Sequence, residues 1–248
     1  MKKASLVAFT LGLIASVGVK AQVSVVPKAG VSLGSYAYRA HTKEDRKYRG
    51  PSAGLAAGVG FNIPLRGSNW FSVQPELVYI QKGDRYDNRA QGVGVRFGNT
   101  YNFLELPVMA KVTFGNERLK VYLNAGPSFG YALGGRYIIE GEGVYPFSRS
   151  GPIRFARKPL AVPSNDPVSY YEPKYHRAFE VAAQFGGGVG IQAGPGVVQF
   201  DARYGMGITS LNRESNEPTR RQTADGRSRT FALTLGYAVP LGGQPANK

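Results

Sequence analysis

The sequence of 248 residues carries 31 Lys and Arg against 16 Asp and Glu, a net charge of +15, with 33 Gly and no Cys. Without cysteine, disulfides, thiol catalysis and a lipid-anchoring cysteine are excluded. A basic excess often marks nucleic-acid binding, yet no basic helix or RNA-binding motif accompanies it, so nucleic acid is not an expected partner and lipid phosphate is the counter-charge that fits.

Met1 to Ala21 reads as a secretory signal peptide: Lys2 and Lys3, an apolar run from Leu6 to Val19, then Val19-Lys20-Ala21 as a small-residue cleavage site before Gln22. About 14 apolar residues between Lys3 and Lys20 are too few to cross a bilayer as a helix. The expected organisation is a signal peptide over 1–21 and one barrel domain over 22–248. No later stretch has about 18 consecutive apolar residues, so a membrane span in the mature chain must be built from strands.

Eight segments then alternate apolar and polar residues with the period of a strand. The first, Pro27 to Tyr38, sets Ala29, Val31 and Leu33 against Lys28, Gly30 and Ser32. The second, Ser52 to Ile63, sets Leu55, Val59 and Phe61 against Gly54, Gly58 and Gly60; the third, Trp70 to Lys82, sets Phe71, Val73, Leu77 and Tyr79 against Ser72, Gln74, Glu76 and Lys82. The fourth and fifth form one hairpin from Tyr101 to Gly135. Here Leu104, Leu106 and Val108 oppose Phe103, Glu105, Met109 and Lys111, and Val121, Leu123 and Phe129 oppose Tyr122, Asn124 and Ser128. The sixth is Ala178 to Ala193, with Glu180 on its polar face; the seventh is Val197 to Thr209, with Asp201 and Arg203; the eighth is Ser228 to Leu241. Eight is even, as a single-chain bacterial barrel requires.

The connections alternate in length. Leu65 to Asn69, Gly115 to Arg118 and Gly194-Pro195-Gly196 are tight turns of Gly, Asn and Pro, whereas Arg39 to Pro51, Gly83 to Phe97, Arg136 to Arg177 and Asn212 to Arg227 are long and polar. Short turns at one end and long loops at the other are the layout of an outer-membrane barrel with both termini in the periplasm. Aromatic residues on the apolar face gather near both ends: Phe61, Phe71, Phe114, Phe200 and Tyr237 by the turns, Tyr79, Phe129, Tyr131, Phe179, Tyr204 and Phe231 by the loops. The fold expected is all-β, an eight-stranded antiparallel up-and-down transmembrane β-barrel, monomeric and integral to the outer membrane.

Few motifs point to chemistry. Gly188 to Ala193 matches the dinucleotide pattern G-x-G-x-x-A but leads into Gly-Pro-Gly instead of a helix, so it reads as strand glycine. His41 and His176, both in long loops, are the only histidines, and no serine or carboxylate at a telling spacing singles either out as a base. No catalytic, cofactor-binding or metal-ligating residue is assigned. The inward faces carry Lys28, Glu76, Lys82, Glu105, Lys111, Glu180, Asp201 and Arg203, expected to pair in a structural lumen network because eight strands leave room only for side chains. Arg136, Arg149, Arg154, Arg157, Lys158, Arg220 and Arg221 are expected to meet lipid phosphate or lipopolysaccharide at the surface. The loop Arg136 to Arg177, rich in Pro and aromatics, is the candidate binding surface.

The strings KAGVSLG, FSVQPELVYIQKGD, YNFLELPVMAKV, VYLNAGPSFGYALGG, ARYGMGIT and TFALTLGYAVPL together resemble the PorT-like outer-membrane β-barrel proteins of the Bacteroidetes, over all eight segments. That resemblance implies a porin-like barrel whose founding relative serves protein export by the type IX secretion system. The proline-rich third loop and the tail from Gly242 to Lys248 depart from the pattern. The functional expectation is a non-enzymatic outer-membrane barrel whose loops bind a protein partner of the secretion machinery or envelope. A small passive porin, and a barrel-type lipid-modifying or proteolytic enzyme, are the alternatives.

Overall fold

The computed structural model describes residues 23–38, 47–65, 68, 70–89, 94–143, 146–153, 155, 177–210 and 226–241. Nine strands form among them: β1 Ser24–Tyr38, β2 Arg49–Pro64, β3 Phe71–Asp87, β4 Val95–Gly115, β5 Leu119–Gly141, β6 Phe147–Ile153, β7 Phe179–Ala193, β8 Gly196–Gly207 and β9 Gly226–Pro240. All pairings are antiparallel. β1 closes on β9, from Ser24 opposite Pro240 to Tyr38 opposite Gly226, so the ring runs β1-β2-β3-β4-β5-β7-β8-β9. The signal-peptide span lies outside the described residues.

Closure satisfies every strand edge of the ring, the condition for a sheet in hydrocarbon. The two faces are inverted relative to a water-soluble fold. Leu55 (60 % exposed), Leu123 (62 %), Leu133 (57 %), Leu235 (59 %) and Phe200 (49 %) point outward, whereas Glu76, Glu105 and Glu180 are at most 2 % exposed inside. An apolar surface on every ring strand needs lipid as its solvent.

Two sequence expectations change in detail. The ring has eight strands, but β6 is a ninth, paired with β5 where β5 rises beyond β7, so part of the expected loop from Arg136 is a hairpin with Gly135 opposite Ile153 and Gly141 opposite Phe147. β3 and β4 likewise extend together as far as Asp87 opposite Arg96, inside what reads as the loop Gly83 to Phe97. Past the lipid belt the outer face meets water and carries Arg85, Arg96, Arg136 and Glu140, while the inner face mixes buried polar and apolar residues such as Asp84 and Ile139, so the apolar-polar period that marks a strand fades.

The short turns are chemically specified. At the β4–β5 turn Gly115 takes φ +114°, and the Asn116 carboxamide oxygen accepts the amides of Arg118 and Leu119, both at 2.9 Å. β7 and β8 join through Gly194, with φ +60°, and Pro195. The G-x-G-x-x-A string lies in β7 and leads into this turn, with no helix following.

Glycines also let strands and side chains approach inside. A Cβ at Gly188 would fall 2.2 Å from the Phe200 carbonyl oxygen and 2.5 Å from the Tyr122 hydroxyl, whereas one at Gly98 would meet nothing within 4 Å. Gly188→Ala is expected to cost about 1–3 kcal/mol of overpacking strain, and Gly98→Ala to stay within about 0.5 kcal/mol. Urea unfolding of vesicle-folded protein measures both.

Candidate functional site

The lumen is filled in layers. β3 and β8 stand opposite each other, four strands apart in either direction round the ring. Across that diameter Arg203 donates from Nη1 and Nη2 to the two Glu76 carboxylate oxygens, each at 2.8 Å. The Lys28 ammonium donates to Glu76 Oε2 as well, and Arg203 Nε lies 2.6 Å from Asp201 Oδ1. Asn124 Nδ2 donates to Asp201 at 3.1 Å. Two cations and two carboxylates thus neutralise one another in the middle of the barrel.

A second cluster lies toward the long loops. Lys82 Nζ is 2.5 Å from both Glu105 Oε1 and Glu180 Oε1 and 4.9 Å from the centre of the Phe103 ring. Gln184 and Ser128 donate to Glu105 at 2.8 and 3.3 Å, and Ser228 to Glu180 at 3.0 Å. Between the clusters the cavity is about 40 Å³. An apolar layer of Tyr36, Val78, Ile80, Tyr101, Phe103 and Ile153 packs around the second cluster and on toward the long loops, with Phe155 against it; Val78 and Ile80 lie between Glu76 and Lys82 on β3, and the Tyr36 and Tyr101 rings meet edge-on at 5.4 Å.

Lys111 stands apart, on the tight-turn side. Its ammonium sits 3.8 Å from the centre of the Tyr122 ring and donates to Gln74 at 3.3 Å and Gln199 at 3.5 Å. It forms part of the lining of a cavity of about 640 Å³, with Asn62, Ser72, Thr113, Lys120 and Gln192 around it. Seven of the eight inward charges picked out in the sequence therefore meet in two clusters, and Lys111 joins neither. The amides and hydroxyls that complete the clusters were not singled out. Their signal was their inward parity alone, which Gln74, Asn124, Ser128 and Gln184 share with the charges.

At the long-loop rim, Arg136 and Arg149 are exposed on β5 and β6, and Arg136 donates to the Ser150 hydroxyl at 3.2 Å. Arg154, Arg157, Lys158, Arg220 and Arg221, and both histidines His41 and His176, lie outside the described residues. Among the described residues no three His, Cys, Asp or Glu side chains gather to hold a metal ion.

A closed ring with an apolar exterior and a charged interior agrees with what comparison finds: residues 10–213 match the outer membrane protein beta-barrel domain family. The chain belongs to that family. Solved members of the outer-membrane barrel class are similar in outline. Neisserial surface protein A (NspA) is 11 % identical at a TM-score of 0.41, covering 88 % of this chain and 97 % of its own. Ail of Yersinia pestis, solved with the heparin analogue sucrose octasulfate, is 11 % identical at 0.37, covering 89 % and 99 %. The outer membrane enzyme PagL is 10 % identical at 0.32, covering 87 % and 99 %. No curated protein matches the chain.

Removing one partner from a buried ion cluster costs more than removing the cluster. Lys82→Met, which leaves Glu105 and Glu180 facing each other without a cation, is expected to lower unfolding free energy by about 3–5 kcal/mol. Adding Glu105→Gln and Glu180→Gln to it should recover much of that loss, read from urea midpoints with gel mobility as the check on folding.

Proposed function

We propose that this outer-membrane barrel is non-enzymatic, with its termini in the periplasm, and works through the surface it presents at the long-loop end. The observation that carries this reading is the plug across the lumen: two ion clusters and an apolar layer occupy the bore from its middle to the long-loop end, leaving about 40 Å³ between the clusters, while only the tight-turn end opens as a cavity of about 640 Å³. A barrel of this size has little transport capacity. What is left to act is the rim, where β5 and β6 rise past the ring and lead into the proline-rich segment up to residue 177.

The partner class we infer is a protein of the secretion machinery or of envelope assembly, with outer-leaflet lipid around the rim. Support for the secretion role comes from the likeness to the PorT-like barrels, whose strings fall on structurally distinct positions. Pro75 to Gly83 carries Glu76 and Lys82, Leu104 to Pro107 carries Glu105, and Ala202 to Thr209 carries Arg203. A passive porin would need these side chains to line an open path, whereas they bridge the bore.

Deleting residues 141–173 tests the proposal. With the barrel still folded by heat-modifiable gel mobility, the deletion is expected to lose co-purifying partners and to change the profile of secreted proteins. An unchanged partner set and secretome on a folded barrel would contradict it.

A further inference from the structure

On the outer face of the long-loop end, β3, β4 and β5 place three rows of residues side by side: Gly83–Thr100–Arg136, Arg85–Gly98–Ile138 and Asp87–Arg96–Glu140. Gly98 and Thr100 on the central strand form a low floor, and Arg85 and Arg136 stand on the flanking strands. The result is a groove of about 190 Å³ into which Arg85, Arg96 and Arg136 all reach. We propose that this groove holds the phosphate headgroup of a lipid from the leaflet at that end, an inference that rests on the reading of the protein as an outer-membrane barrel.

Charge is the first argument. The carboxylates of this face are already engaged: Asp87 takes Nε and Nη2 of Arg89 at 3.0 Å each, and Glu140 lies 3.3 Å from Arg96 Nη1 and 3.5 Å from Arg89 Nη1. Arg85 and Arg136 have no carboxylate partner among the described residues, Arg136 having only the Ser150 hydroxyl. Two guanidiniums without a carboxylate partner among the described residues, beside a half-paired third, suit an anion, and a guanidinium fork matches phosphate oxygens in pairs.

Depth is the second. Two residues nearer the ring, the Tyr79 hydroxyl donates to Asn102 Oδ1 at 3.0 Å and Gln81 Nε2 donates to the same oxygen at 3.2 Å. Next comes the row Tyr79–Leu104–Tyr131, where the lipid-facing belt begins, with Tyr131 57 % exposed and Leu106 below it 48 % exposed. From Leu104 to Thr100 is about 13 Å along a strand, or about 10 Å in height for a strand tilted near 40°. The groove therefore stands at headgroup depth directly over an apolar wall that acyl chains already cover. A free anion would have no use for that wall; a phospholipid uses both.

The test is binding of phosphatidic acid with a fluorescent acyl chain to the detergent-folded barrel, read by anisotropy, with the matching diacylglycerol as the phosphate-free probe. Phosphatidic acid is expected to bind at least about tenfold more tightly, and Arg85→Gln and Arg136→Gln each to weaken it about fivefold without changing diacylglycerol binding. Arg118→Gln, the same charge change at the opposite end, is expected to leave both unchanged. Equal binding of the two probes, an equal loss with Arg118→Gln, or displacement of phosphatidic acid by millimolar inorganic phosphate but not by NaCl at matched ionic strength would each overturn the proposal. Gel mobility of every variant reports whether the barrel itself has formed, so a failure of the fold is distinct from a failure of the site.

Discussion

Charge burial in a bore of eight strands is the constraint on which the rest of this structure depends. A carboxylate or ammonium removed from water costs several kcal/mol unless it is paired and hydrogen-bonded. Here Glu76, Arg203 and Lys28 form one such group and Lys82, Glu105 and Glu180 another, each drawing on strands from across the ring. Because β3 faces β8 across the diameter, the Arg203–Glu76 pair is a strut as well as a neutralisation. It is satisfied only when the ring is closed in register, which ties barrel closure to side-chain chemistry.

The same crowding explains the glycines. Gly30, Gly126 and Gly188 sit where an added Cβ would come within 1.9 to 2.2 Å of a neighbouring strand's carbonyl oxygen. Glycine at these inward positions lets strands approach, Gly188 also leaves room for Tyr122 over Lys111, and Gly130, where an added Cβ would lie 3.3 Å from the Phe103 ring, leaves room for Phe103 beside Lys82. Outside, the lipid contacts impose only apolarity, so Leu, Val and Phe recur with little other pattern. The protein's specificity is thus concentrated in its interior and at its rim.

The sequence made much of this legible because the solvent changes sides with every residue. Alternation placed Glu105 and Lys111 on the opposite face from Leu104 and Leu106, and the structure has them so. Which charge meets which was not legible: Lys82 to Glu180 spans 98 positions, and only ring order and shear decide that they meet rather than Lys82 and Asp201. Nor was the rise of β3, β4 and β5 beyond the belt visible, since a stretch with a wetted outer face and a mixed inner one, such as Arg96 to Asn99, has no hydrophobic period to show. Ile153 shows the converse error of reading a loop as surface, since it lies 3 % exposed within the apolar layer.

The central claim, that paired charges and the apolar layer seal the bore, is tested most directly by recording from the purified protein in a planar bilayer, with insertion verified by heat-modifiable gel mobility. The account predicts no steady conductance. Sustained ohmic currents of the size carried by general porins would contradict it, because they would require an open path through the place where Arg203 bridges to Glu76 and Lys82 to Glu180.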